Sequence, residues 1–113
     1  MDRLTTADVI AAYDTDEAAR RAVDDAIEFW GMAVANLVSL FNPETIVLGG
    51  GVFGPAVRFL DRIRDEATRW AQPIAMRTVT LTASTLGSDA GLYGAAAVAL
   101  QGLERHVHAK AAS

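Results

Sequence analysis

There is no cysteine in this chain, so neither a disulfide nor a thiolate metal site can be built from it. A cysteine-free composition suits a reducing compartment, and a cytoplasmic location is the expectation. Apolar runs are short, none approaching the ~20 residues of a membrane span. The amino-terminal stretch MDRLTTADVIAAYD has no signal-peptide profile, and no membrane partner is expected. Positive charge is also scarce: Lys and Arg total 10 against 14 Asp and Glu, for a net charge of −4. No basic cluster forms a nucleic-acid footprint, so direct nucleic-acid contact by this segment is not expected. What is present is a composition 51% hydrophobic and 21% charged over 113 residues. That fits one small globular domain at most.

Hydrophobic spacing supplies the elements. Thr5 with Asp8 three residues on caps a short helix at about 6–13, and Asp14 with Glu17 opens a longer one. Along it Val23, Ile27, Trp30, Val34, Val38 and Phe41 form one apolar face, until Asn42-Pro43 ends the helix. Glu44 to Leu48 is a strand, apolar on both faces at Ile46, Val47 and Leu48, as in a covered parallel sheet. Pro55 suits the start of a helix on which Phe53, Val57, Leu60, Ile63, Ala67 and Trp70 make an apolar face, closed by Gln72-Pro73. The alternation of Arg62, Arg64 and Arg69 with Asp61, Asp65 and Glu66 predicts a solvated helix face. Thr78 to Ala83 alternates strictly as a second strand, and a final helix spans about Asp89 to Glu104. The expected order is therefore α-α-β-α-β-α, an α/β class, helix-rich with a short parallel strand pair. Two strands do not make an independently stable sheet. The remaining strands are expected from the rest of a larger domain, or from self-association.

Between strand and helix stands Gly49-Gly50-Gly51-Val52-Phe53-Gly54. It satisfies G-x-G-x-x-G literally, but a dinucleotide fold also wants a carboxylate about 20 residues on, at the end of the next strand. Here that strand ends in Thr82-Ala83-Ser84. A phosphate-binding Walker loop fails because no Gly-Lys-Ser/Thr follows. Two readings stay open for the triplet: a tight turn where helix packs on strand, and a bare backbone kept for a close ligand.

Taken together, NLVSLFNPETIVLGGGV at 36–52, LGSDAGLYGAAAVAL at 86–100 and LTTADVIAAYDTDEAARRAV at 4–23 resemble the carboxy-terminal part of the ROK family. That family contains bacterial sugar kinases and sugar-responsive transcriptional repressors. The resemblance covers Leu4 to about Leu100 and implies part of an actin-like ATPase (ribonuclease H-like) lobe. It implies residues 1–105 as a piece of a larger domain, with 106–113 as a flexible tail. It implies that Gly49, Gly50 and Gly51 lie against the adenosine of ATP, with Mg acting in the complete protein. The small residues Gly91, Gly94 and Ala95 of the final helix predict tight packing in a core, and the resemblance implies that this helix closes the lobe. The resembled kinases carry a phosphate-binding Asp-Gly-x-x-Gly turn, a catalytic Asp and a Glu-x-Gly-His motif before this region. This sequence has no Asp-Gly dipeptide and no Glu-x-Gly-His. The expectation is a nucleotide-contacting portion of an ATP-dependent hexose kinase that is not catalytically complete alone. Its alternatives are the sugar-sensing portion of a repressor, or a truncated oligomerisation module.

Other chemistry-bearing residues account for themselves more simply. His106 and His108 stand near a chain end with no third ligand in view, so no metal site is expected. Asp24 with Asp25, and Asp61 with Asp65, sit on helices as solvated faces. Trp30 and Trp70 fall on apolar stripes and are expected in the core. Ser39 and Ser84 have no histidine at a suggestive spacing. No catalytic residue is nominated.

Overall fold

The computed structural model describes residues 3–112, with the side chain of Ser88 left out. Thr5 caps helix α1 (Thr6–Ala11) through a reciprocal box: its hydroxyl accepts from the Asp8 backbone N–H while Asp8 accepts from that of Thr5. Asp16, rather than Asp14, caps helix α2 (Glu17–Phe41), accepting from the Ala19 N–H. The helix stops at Asn42, which closes it with φ 44° and ψ 53° and donates to the Val38 carbonyl. Asparagine tolerates this left-handed geometry.

Strand β1 (Thr45–Leu48) pairs in parallel with β2 (Thr80–Ala83), register Ile46 to Leu81 and Leu48 to Ala83. Thr80 N–H donating to the Glu44 carbonyl at 2.8 Å, and Ser84 N–H to that of Leu48 at 2.7 Å, extend the ladder at both ends. Between the strands run two short 3-10 helices, Gly51–Phe53 and Pro55–Phe59, then helix α3 (Leu60–Trp70) and helix α4 (Pro73–Thr78). A 3-10 turn at Gly87–Asp89 leads into helix α5 (Ala90–Ala112). The observed order thus contains α4, which the expected order lacked. Proline at its first turn starts a new helix rather than merely ending the old one. Helix α5 also runs eight residues beyond the expected end at Glu104, through alanines that favour helix.

The core lies where α2 crosses α3. Val23, Ile27, Val34 and Val38 face Ile63 and Ala67, with Phe59, Met76, Val79 and Ile46 completing it. Gly31 lets the helices touch: a Cβ there would stand 2.4 Å from the Glu66 Cβ and 3.0 Å from the Ala67 nitrogen. Four apolar residues expected inside are outside, Val57 among them at 47% exposed. Phe41 is 71% exposed because its turn of α2 lies past the crossing, and Trp70 is 53% exposed at the end of α3. Val47 is 59% exposed because, with two strands only, the face of the sheet opposite Ile46 has no layer over it. Trp30 is half-buried and packs against Phe53, ring centres 5.1 Å apart.

Two of the arginines expected on a solvated face bind the fold instead. Arg64 reaches from α3 to the carbonyls of Met76 (2.7 Å) and Val79 (3.0 Å), fixing the α4–β2 connection. Arg62 donates to the Tyr13 hydroxyl and to Asp24, joining α3 to the α1–α2 turn.

Candidate nucleotide site

A parallel strand pair opens its crevice at the carboxyl ends of its strands, where two successive connections part. Here those connections are Gly49–Gly54 after β1 and Ser84–Asp89 after β2, side by side because Leu48 pairs with Ala83. In the first, the Gly50 carbonyl accepts from Phe53 N–H at 3.2 Å, which tightens the turn into its 3-10 helix. In the second, Leu86 N–H donates to the Ser84 hydroxyl at 3.2 Å and Gly87 takes φ 60°.

The three glycines do not share one reason. Gly50 has φ 94° and ψ 172°, a conformation closed to side chains, so the turn itself requires glycine there. At Gly49 an added Cβ would meet the Ser84 Cβ at 3.5 Å, an ordinary contact. At Gly51 it would meet nothing within 4 Å. Nothing within this chain demands glycine at 49 or 51, and the surface over Gly50 and Gly51 is open. The Gly49–Gly54 turn holds no charged side chain, and Asp89 is the one charge in the second connection. The crevice can therefore accept a flat, neutral part of a ligand on bare main chain, and offers no cation to a phosphate.

The other residues singled out in the sequence do not converge here. Ser39 lines a shallow cavity of about 280 Å³ with Asn42 and Gln72, before the start of β1. His106 and His108 are exposed on α5, the latter bonded to the Glu104 carbonyl at 2.8 Å. No three of His, Cys, Asp and Glu group as metal ligands among the described residues. Asp24 belongs to a network hidden from sequence reasoning: it accepts from the Tyr13 hydroxyl at 2.8 Å and from Arg62 at 3.0 Å. Burial works to raise the Asp24 pKa, but the Tyr13 and Arg62 hydrogen bonds, with the charges of Arg62 and Arg20, hold it below the ordinary carboxylate value. This network ties the α1–α2 turn, α2 and α3 together. No residue of the glycine turn takes part in it.

The strand–helix–strand unit defines the class first: a helix-rich α/β segment with a short parallel two-stranded sheet. A crystal structure of a candidate sugar kinase from Cytophaga hutchinsonii superposes with TM-score 0.73 over 88% of this chain and 34% of its own, at 24% identity. The ROK family model matches residues 1–102, and the chain belongs to the ROK family. It is 38% identical over 92 residues to the glucokinase of Halalkalibacterium halodurans, covering 80% of this chain and 28% of that enzyme. It is 33% identical over 66 residues to the xylose repressor of Caldicellulosiruptor bescii, covering 58% of this chain and 16% of that protein. The chain thus spans under a third of the length of these curated relatives. No helix among the described residues is long and apolar enough to cross a membrane.

Proposed function

We propose that this chain is the nucleotide-contacting, carboxy-terminal portion of a ROK-type sugar kinase with an actin-like ATPase lobe. The adenosine of ATP rests on the main chain of Gly49, Gly50 and Gly51. The observation that carries this is the open space at Gly51, where neither backbone conformation nor any neighbour accounts for the missing side chain. The relatives named glucokinase support phosphorylation of a hexose as the class of reaction, and the reading adds ATP as donor, Mg in the complete protein and a cytoplasmic setting. Within that scheme these residues orient the nucleoside and do not touch the transferred phosphoryl group. A catalytic base and a phosphate clamp, which such a transfer needs, are supplied outside residues 1–113. Accordingly, glucose-dependent ATP consumption by the chain alone should be undetectable, and turnover lost on mutating a residue within 1–113 would contradict this.

The test is calorimetric titration of the chain with ATP. Binding with Kd near about 1 mM is expected, since contact is by backbone and shape only. Gly51→Val should abolish it while leaving the far-UV circular dichroism unchanged. Equal binding by wild type and Gly51→Val would overturn the assignment. The match to a xylose repressor favours a second reading, in which the same fold senses sugar for a DNA-binding domain. Sugar binding without any response to ATP would select it.

A further inference from the structure

The connection Gly49–Gly54 carries no polar side chain, so any side-chain hydrogen bond to a ligand on it must come from the connection beside it. The 3-10 turns Gly51–Phe53 and Gly87–Asp89 adjoin, and the second connection begins at Ser84. Its backbone N–H donates to the Leu48 carbonyl at 2.7 Å, the last rung of the parallel ladder. Its hydroxyl accepts from the Leu86 N–H at 3.2 Å. Ser84 is thus half-buried and held through both its backbone and its side chain.

A serine hydroxyl has one proton to donate and two lone pairs to accept with. The Leu86 bond uses a lone pair, and among the described residues no acceptor takes the Ser84 proton. A flat ligand laid over the crevice shuts solvent away from this proton, which weakens binding unless the ligand itself accepts it. Gly49 stands next to the same side chain. A Cβ at Gly49 would lie 3.5 Å from the Ser84 Cβ, close enough to screen the hydroxyl and too far to disturb the fold. Neither backbone angle nor crowding asks for glycine at 49. Access to the Ser84 hydroxyl does.

We propose that Ser84 is a nucleoside-binding residue: its hydroxyl donates a hydrogen bond to an acceptor of the bound adenosine, and Gly49 keeps that hydroxyl uncovered. The inference rests on the reading of residues 49–51 as the surface that carries the nucleoside, and adds the group that orients it there. Backbone and shape alone leave a flat ring free to slide and turn. One directed bond from a residue locked to the end of β2 removes that freedom. Adenosine offers acceptors of two origins, the ring nitrogens of the base and the hydroxyls of the ribose.

Titration of the isotope-labelled full chain, followed by amide chemical shifts, gives Kd for ATP and for analogues that each lack one acceptor. These are 1-deaza-, 3-deaza- and 7-deaza-ATP, and 2′-deoxy- and 3′-deoxy-ATP. Ser84→Ala should raise the Kd for ATP about three- to tenfold, the worth of one neutral hydrogen bond. One analogue should bind the wild-type chain more weakly by the same factor and lose nothing further on Ser84→Ala. Gly49→Ala should likewise weaken ATP by more than it weakens that analogue. A deaza analogue in this role places the bond on the base, and a deoxy analogue places it on the ribose. Ser84→Ala also removes the Leu86 bond, and a purely structural role would weaken ATP and every analogue alike. That result, or an unchanged Kd for ATP, overturns the proposal. If Gly51→Val abolishes ATP binding while Ser84→Ala leaves it intact, the assignment of residues 49–51 stands and Ser84 has no part in it. No ATP binding by the wild-type chain would instead strike that assignment, and the role of Ser84 with it.

Discussion

At Gly31 a side chain has nowhere to go, because the backbone of α3 lies against it as well as the Glu66 Cβ. Gly31→Ala should cost about 2–3 kcal/mol in urea unfolding, as overpacked cores do. At Gly50 the obstacle is conformational, and Gly50→Ala should cost about 1–3 kcal/mol. At Gly51 there is no obstacle, and Gly51→Ala should leave stability within about 0.5 kcal/mol. The sequence displayed these glycines alike, and only backbone angles and neighbours separate them. Asp24 supplies a pH signature. Its folded-state pKa is lowered, so the folded chain binds fewer protons in acid than the unfolded chain. Its contribution is complete above about pH 5 and is lost as the pH falls below about 3.9. Asp24→Asn should flatten that part of the stability profile between pH 5 and 3, measured by chemical denaturation.

Among the elements, the long helix and both strands were legible because hydrophobic period and capping residues agree over many positions. Helix α4 was not, because Pro73 is equally a stop and a start signal. Neither was the role of Arg64, since a charge on an amphipathic helix reads as solvated until the carbonyls it meets are known. Those carbonyls come from a connection distant in sequence, which no local pattern reports. Arg64→Ala should therefore destabilise by about 2 kcal/mol, the worth of charge-assisted bonds to backbone. Arg69, itself exposed, pairs at 3.0 Å with the half-buried Glu66, and the same change there should cost about 1 kcal/mol, less than at Arg64. Differential scanning calorimetry on both variants distinguishes them. The Tyr13–Asp24–Arg62 network was illegible for the same reason: it joins residues up to 49 apart in the chain. By contrast, the exposed turn after β1 was legible from three glycines placed at the end of an apolar strand.

For the molecule as a whole, the sheet has two strands among the described residues, α5 is exposed from Gly91 to Ala112, and the chain spans under a third of the length of its curated relatives. The expectation that Val47 would be buried failed because the face of the two-stranded sheet opposite Ile46 has no layer over it. The proposed nucleotide site differs in kind, since both connections that would border it, Gly49–Gly54 and Ser84–Asp89, lie within the chain. It therefore offers the most direct trial of the central claim, that adenosine lies on the bare main chain of residues 49–51. With ATP in excess over the isotope-labelled protein, intermolecular nuclear Overhauser effects should run from the adenine H8 and ribose H1′ protons to the glycine α-protons of that turn. Effects confined to another surface, such as the apolar groove of Leu4, Val9 and Trp30 between α1 and α2, or none under saturating ATP, would contradict it.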